Sequence, residues 1–189
     1  MLFRSDLRFV DTNGDGEITD KDRTNIGDPI PDFQMGLNFG FTYKSFDFNA
    51  YAFASLGHEL VRDYERKDLY ANRGTYVLER WQGSGTSNTI PRAVSGANIN
   101  TDEFSDFHVE DASFLRLQNV QLGYDFTSLL KNTGLKKFRV YVSGNNLFTI
   151  TDYNGYDPAA NSGAALGGGI DKGFYPVAKT YLLGLNIDF

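Results

Sequence analysis

From Pro31 onward the chain alternates with a period of two. Phe33, Met35, Leu37, Phe39, Phe41 and Tyr43 take one phase, and Gln34, Gly36, Asn38, Gly40 and Thr42 take the other. Side chains on a strand point to opposite faces in turn, so this spacing predicts one long strand over about 32–43 with a single apolar face. Lys44-Ser45 then makes a tight connection, and a return strand is expected over 46–56, with Asp47, Asn49 and Ser55 on its polar side. Residues 57–111 lose the alternation. The charged stretch from His58 to Arg80 is expected to be partly helical, and residues 82–88 read as open loop. Alternation returns at Phe114. Its apolar phase runs through Leu115 and Leu117, then moves to Val120, Leu122, Tyr124 and Phe126, which predicts a β-bulge near Gln118-Asn119. Strands are expected over 112–126, 137–149 and 179–189. The last carries Tyr181, Leu183, Leu185, Ile187 and Phe189 on one face, with Leu182 as the exception.

The connections run short, long, short, long, and the strands match the ~9–11 residues that a tilted membrane-crossing strand needs. Two architectures fit this pattern: the wall of an outer-membrane barrel, or a soluble β-sandwich or jelly roll with one buried face. The polar phases are rich in Gly, Asn and Gln in place of Lys and Glu, which favours the barrel. So does a final alternating strand with Phe as its last residue, similar to the signal by which outer-membrane barrels are recognised for insertion. The expected fold is therefore all-β, an antiparallel up-and-down sheet forming the C-terminal part of a transmembrane β-barrel with long extracellular loops.

Composition narrows the function classes. The 189 residues include 16 Phe, 11 Tyr and 20 Gly, and a hydrophobic fraction of 41% excludes a disordered chain. A net charge of −6 without any Lys/Arg cluster argues against nucleic acid, whose phosphates are held by cationic side chains. The absence of cysteine removes thiolate metal sites, disulfides and a Cys nucleophile. No apolar run approaches the ~20 residues of a spanning helix, and the opening Met1-Leu2-Phe3-Arg4-Ser5-Asp6 does not read as a signal peptide.

One segment carries metal-ligand spacing. Asp11, Asn13 and Asp15 fall at positions 1, 3 and 5 of a twelve-residue calcium loop, Gly16 at the turn position, Glu17 at the carbonyl position 7 and Asp22 at position 12. Hard oxygen donors at this spacing suit Ca²⁺. An EF-hand places a longer Glu at position 12, and no amphipathic helix flanks the loop, so a structural calcium role is expected in preference to a sensor. The other reading is a turn rich in Asn-Gly and Asp-Gly without metal. His58 and His108 stand fifty residues apart with no partner spacing for zinc or a triad, and Gly167-Gly168-Gly169 lacks the strand-to-helix context of a phosphate loop. No catalytic constellation emerges, and the chain is expected not to be an enzyme. Trp81, Tyr153, Tyr156 and Tyr175 are candidates for stacking on a sugar or touching a peptide, with loop-packing or interfacial aromatics as the alternative.

Several motifs together resemble a known family. Asp6-Leu7-Arg8-Phe9-Val10-Asp11 running into Asn13-Gly14-Asp15-Gly16, then Asp22-Arg23-Thr24-Asn25-Ile26-Gly27-Asp28-Pro29, is similar to the late extracellular region of SusC/RagA-type TonB-linked outer-membrane transporters. The same holds for Trp81 with Gly83-Ser84-Gly85, for Ser113-Phe114-Leu115-Arg116-Leu117-Gln118-Asn119-Val120-Gln121-Leu122-Gly123-Tyr124, for Gly144-Asn145-Asn146-Leu147-Phe148, for Tyr156-Asp157-Pro158 and for Tyr175-Pro176. The resemblance runs along residues 1–189 in order and matches only the C-terminal part of such a transporter, without its plug domain and TonB-contacting segment. It implies an outer-membrane location, import of oligosaccharides or peptides, contact with membrane lipid, a SusD-like lipoprotein partner and energy from the TonB complex through the missing part. The competing expectation is a free-standing calcium-dependent glycan-binding β-domain.

Overall fold

A computed structural model describes residues 5–65, 72–94, 104–130, 134–160 and 168–189, together with the backbone of 2–3. The chain divides into two compact units, residues 1–27 with 61–109 and residues 28–60 with 110–189. The second unit carries the five long strands. β1 (Phe33–Tyr43), β2 (Phe46–Leu56), β3 (Phe114–Asp125), β4 (Lys137–Thr151) and β5 (Thr180–Asp188) form one antiparallel sheet. Their order is β5-β4-β3-β2-β1, so every strand lies beside its sequence neighbour. The hairpin between β1 and β2 closes through Lys44, which has a φ of 54°, the positive value that the tight primed turns require.

The register aligns the apolar phases into continuous rows. Phe41, Phe48, Leu122, Val142 and Leu183 stand opposite one another across all five strands, and Tyr43, Phe46, Tyr124, Val140 and Leu185 form the next row. Nothing among the described residues covers this face: Leu37 remains 66% exposed, Val142 50% and Leu183 75%. The opposite face is polar, with Asn38, Tyr51, Asn119, Asn145 and Thr180 in one row. Asn119 Nδ2 donates to Asn145 Oδ1 at 2.7 Å, and Asn145 Nδ2 donates to Thr180 Oγ1 at 3.0 Å. On the same face Arg139 Nε donates to Asp47 Oδ1 at 2.8 Å. That pair crosses directly over Gly123, where any Cβ would collide with both side chains, and the Tyr141 ring lies equally close over Gly184.

Two irregularities keep the faces intact. Between the pairs Ala52–Leu117 and Tyr51–Asn119, β2 advances one residue and β3 two, so Gln118 is bulged. Over the same step β4 advances three, from Phe148 to Asn145. Asn146 within that step has a φ of 52°. A single extra residue shifts the side-chain phase, as the apolar pattern of β3 requires. Two extra residues restore it, which is why Val142 and Phe148 share a phase.

The buried core of this unit sits under the loops at one end of the sheet. Leu60, Ala112, Tyr153 and Ala160 form a cluster. The stretch expected to be partly helical contains the strand Glu59–Arg62 and a 3₁₀ turn, Thr75–Glu79, and no α-helix occurs among the described residues. Leu60 decides this locally, because its side chain is drawn into the loop core and the backbone pairs as a strand. Residues 66–71 of that stretch lie outside the described residues.

Candidate functional site

The first unit contains the loop with calcium spacing. Gly14 and Gly16 adopt φ values of 76° and 85°, which glycine reaches without strain. The Asp11 carboxylate accepts the backbone N–H of Gly14 at 2.6 Å and of Gly16 at 2.8 Å. Asn13 Oδ1 accepts from Asp15 N, and Asp15 Oδ1 accepts from Glu17 N. Asp22 closes the loop: its Oδ1 takes the N–H groups of Thr12 and Asn13, and its Oδ2 takes that of Thr19 at 2.8 Å. These bonds, from Thr19 first, together outweigh desolvation and hold the Asp22 carboxyl below the usual carboxylate range. The donors are all oxygens and in kind fit a hard cation. Among the described residues, however, no three acidic or histidine side chains converge on one point, because these oxygens are turned to backbone N–H groups.

Beside this loop lies an open cleft of about 610 Å³ whose lining mixes apolar side chains such as Phe9, Ile18 and Phe104 with charged ones such as Arg8, Asp22 and Arg23. Elsewhere in the unit the Arg62 guanidinium lies 4.7 Å from the Tyr76 ring centre and 5.6 Å from that of Phe107, and the Tyr76 hydroxyl donates to Glu65. Burial, with the Glu65 acceptor second, raises the Tyr76 hydroxyl pKa, so it stays protonated as a donor. Trp81 is half-buried, with its backbone N–H on the Ile90 carbonyl at 3.0 Å.

In the second unit the structure separates the three candidate tyrosines. Tyr153 is 6% exposed and its hydroxyl donates to Asp171 Oδ2 at 2.7 Å, which puts it in the loop core and takes its ring away from any stacking surface. Asp171 also accepts the N–H of Gly173 at 2.8 Å. Tyr156 and Tyr175 project outward. His58 is buried, its Nε2 3.2 Å from the Pro158 carbonyl oxygen, and it serves loop packing.

Sequence reasoning missed the most buried charge pair. Arg116 Nη2 lies 2.6 Å from Asp157 Oδ1, with both side chains under a tenth exposed. A signal was present in the sequence: Arg116 is the one basic residue in a strand whose other interior polar positions, Gln118, Asn119, Gln121 and Gly123, are amides and glycine. Its partner, forty-one positions away, had no local signature.

No family model matches the chain. Curated relatives do. TonB-dependent receptor P3 of Formosa agariphila is 39% identical over 191 residues, covering 96% of this chain and 19% of the relative. TonB-dependent receptor SusC of Bacteroides thetaiotaomicron is 39% identical over 184 residues, covering 96% of this chain and 17% of the relative. Among solved structures, the RagAB peptide importer in its open-open state matches with a TM-score of 0.72 and 25% identity over 98% of this chain and 20% of that one. Its closed-closed state gives 0.73 and 25%, covering 98% and 21%. The chain thus spans about a fifth of the length of the proteins it matches. With the five-stranded register and its uncovered apolar face, these likenesses place the chain in the SusC/RagA-type TonB-dependent receptors, as a segment of their β-barrel.

Proposed function

We propose that this chain forms the C-terminal barrel wall and outer loops of an outer-membrane transporter that imports oligosaccharides or peptides with a SusD-like lipoprotein. Energy would come from the TonB complex, acting on parts of the protein beyond this segment. The observation that carries this reading is the single-layer sheet with an apolar row running unbroken from Phe41 to Leu183. A face of that kind, next to a face of amides, suits a wall with lipid outside and a polar lumen inside. The names of the relatives point the same way: they are receptors and, for RagAB, a peptide importer. A transport role without chemistry also suits a chain that offers no catalytic constellation in its sequence.

Orientation follows if the end of β5 faces the periplasm. The long connections 57–111 and 151–178 are then extracellular, and Lys44-Ser45 with 127–136 are periplasmic. A cysteine placed at Gly168 is expected to react with a membrane-impermeant maleimide on whole cells, while one at Ser45 stays unlabelled until the cells are broken. The reverse pattern would sink this topology, and equal labelling in a soluble monomer would favour the free-standing β-domain.

The ligand spacing of the 11–22 loop supports a structural calcium role within the same reading. Asp11, Asn13, Asp15, the Glu17 carbonyl and Asp22 would hold the ion, which would brace an extracellular loop. Calcium titration by calorimetry should show one site that Asp15→Ala abolishes. No heat in the parent protein, with identical melting in calcium and in EDTA, would leave the loop closed by its own hydrogen bonds alone.

A further inference from the structure

The register shows over which face the β4–β5 connection returns. Gly36, Phe53, Arg116 and Thr149 stand opposite one another, and Gln34, Ser55, Phe114 and Thr151 form the next row toward the loops. Both rows belong to the polar phase, since Gln34 and Gly36 flank Met35 on β1. Phe114 and Arg116 are each 5% exposed, whereas Leu115 between them, on the apolar face, is 40% exposed. The loops therefore fold over the polar face and leave the apolar one bare. Asp157 fastens the arm 152–160 there: its Oδ1 accepts Arg116 Nη2 at 2.6 Å and the Ala159 N–H at 2.9 Å. Arg116 Nε also donates to Thr149 Oγ1 at 2.9 Å. The arm 168–178 is tied to the same place, because Asp157 Oδ2 accepts the Val177 N–H at 3.3 Å. Asn146 adds a second tie from the left-handed step in β4, its Nδ2 donating to the Ala178 carbonyl oxygen at 3.1 Å. Farther from the loops the side chains of the polar face lie down: Arg139 and Asp47 cross over Gly123, and the Tyr141 ring covers Gly184.

We infer that these two arms form a fixed constriction at the outer mouth of the lumen and limit the size of solute that enters, with Arg116 and Asn146 as positioning residues. The inference rests on the transporter reading for one point, that the polar face lines a lumen. Arms held by a buried ion pair cannot swing aside without stranding a charge in a water-poor layer. The wall beyond them stays low, because any Cβ at Gly123 or Gly184 would lift the side chains that now lie across it. Among the described residues of this sheet, the arms are thus what stands out over the polar face, and a solute meets them before the flat wall.

The test is run on whole cells carrying the intact protein. Ser143→Cys places a thiol on the polar face beside Gln121, inward of the clamp. A small sulfonated maleimide and a maleimide carried on a bulky polymer are then applied from outside. The small reagent is expected to react at least tenfold faster than the bulky one. Asp157→Asn should raise the bulky-to-small rate ratio tenfold or more, and Arg116→Lys should keep more of the exclusion than Arg116→Met. Taking a ratio removes any general loss of folded protein, and heat-modifiable gel mobility identifies the folded variants. If the clamp variants fail to fold, Asn146→Gly serves in their place: glycine keeps the left-handed backbone while the amide on the Ala178 carbonyl is lost, and the ratio should again rise. Equal rates for the two reagents in the parent, or no reaction with either, overturn the constriction. So does a ratio unchanged in folded Asp157→Asn or in Asn146→Gly. When Gly168 and Ser45 label as the topology requires, such a result overturns the constriction alone; with that pattern reversed, the transporter reading falls with it.

Discussion

Arg116→Met is expected to destabilise the folded protein by about 3–5 kcal/mol, the range for removing one partner of a buried ion pair. The cost comes less from the lost attraction than from the Asp157 carboxylate left in a water-poor loop layer. Two backbone N–H groups remain its donors there. An exposed pair makes the control. Arg23 and Asp20 approach within 2.9 Å at 76% and 87% exposure, so Arg23→Met should change stability by no more than ~1 kcal/mol. Urea unfolding of detergent-refolded protein measures both, and similar losses for the two variants would overturn the assignment.

Acidification separates charge from packing. Burial alone would raise the Asp157 carboxyl, but the Arg116 guanidinium with the N–H groups of Ala159 and Val177 outweighs it and holds the group below the usual range. A lowered folded pKa gives stability that is full above the unfolded value near ~3.9 and is lost as pH falls through the folded one. The parent protein should therefore lose this contribution only below about pH 4. In Arg116→Met, burial acts with only the N–H groups to oppose it, so the penalty should shrink as the pH falls from 7 toward the carboxyl's own range. A penalty independent of pH would mean that the loss is one of packing.

The second large effect belongs to the apolar face. Leu37→Arg places a charge on the uncovered apolar face, which the proposed barrel turns toward lipid, and should cost roughly 2–4 kcal/mol near the midplane. Asn38→Arg puts the same group one residue along, on the polar face beside Tyr51, and should cost much less. Refolding into liposomes under a urea gradient reads both. Equal penalties would mean that neither face meets hydrocarbon.

What the sequence determined by itself was whatever repeats every two residues. The five strands, the face each presents and the bulge at Gln118 follow from alternation, since successive side chains on a strand must point to opposite sides and a phase change must be absorbed by an extra residue. The hairpin at Lys44-Ser45 is equally local. Tertiary structure decided the rest. The wider irregularity around Asn146 adds two residues relative to β2 and so leaves the alternation in phase, which hides it from any periodicity. Leu60 turned a charged stretch into a short strand by entering the loop core. Tyr153 and Tyr175 look alike in sequence, yet one is buried against Asp171 and the other is nearly bare, because burial depends on how the 152–178 connection returns over the sheet. The Arg116–Asp157 pair joins residues forty-one positions apart. Such pairings are set by strand register and loop path together, and a local pattern carries neither.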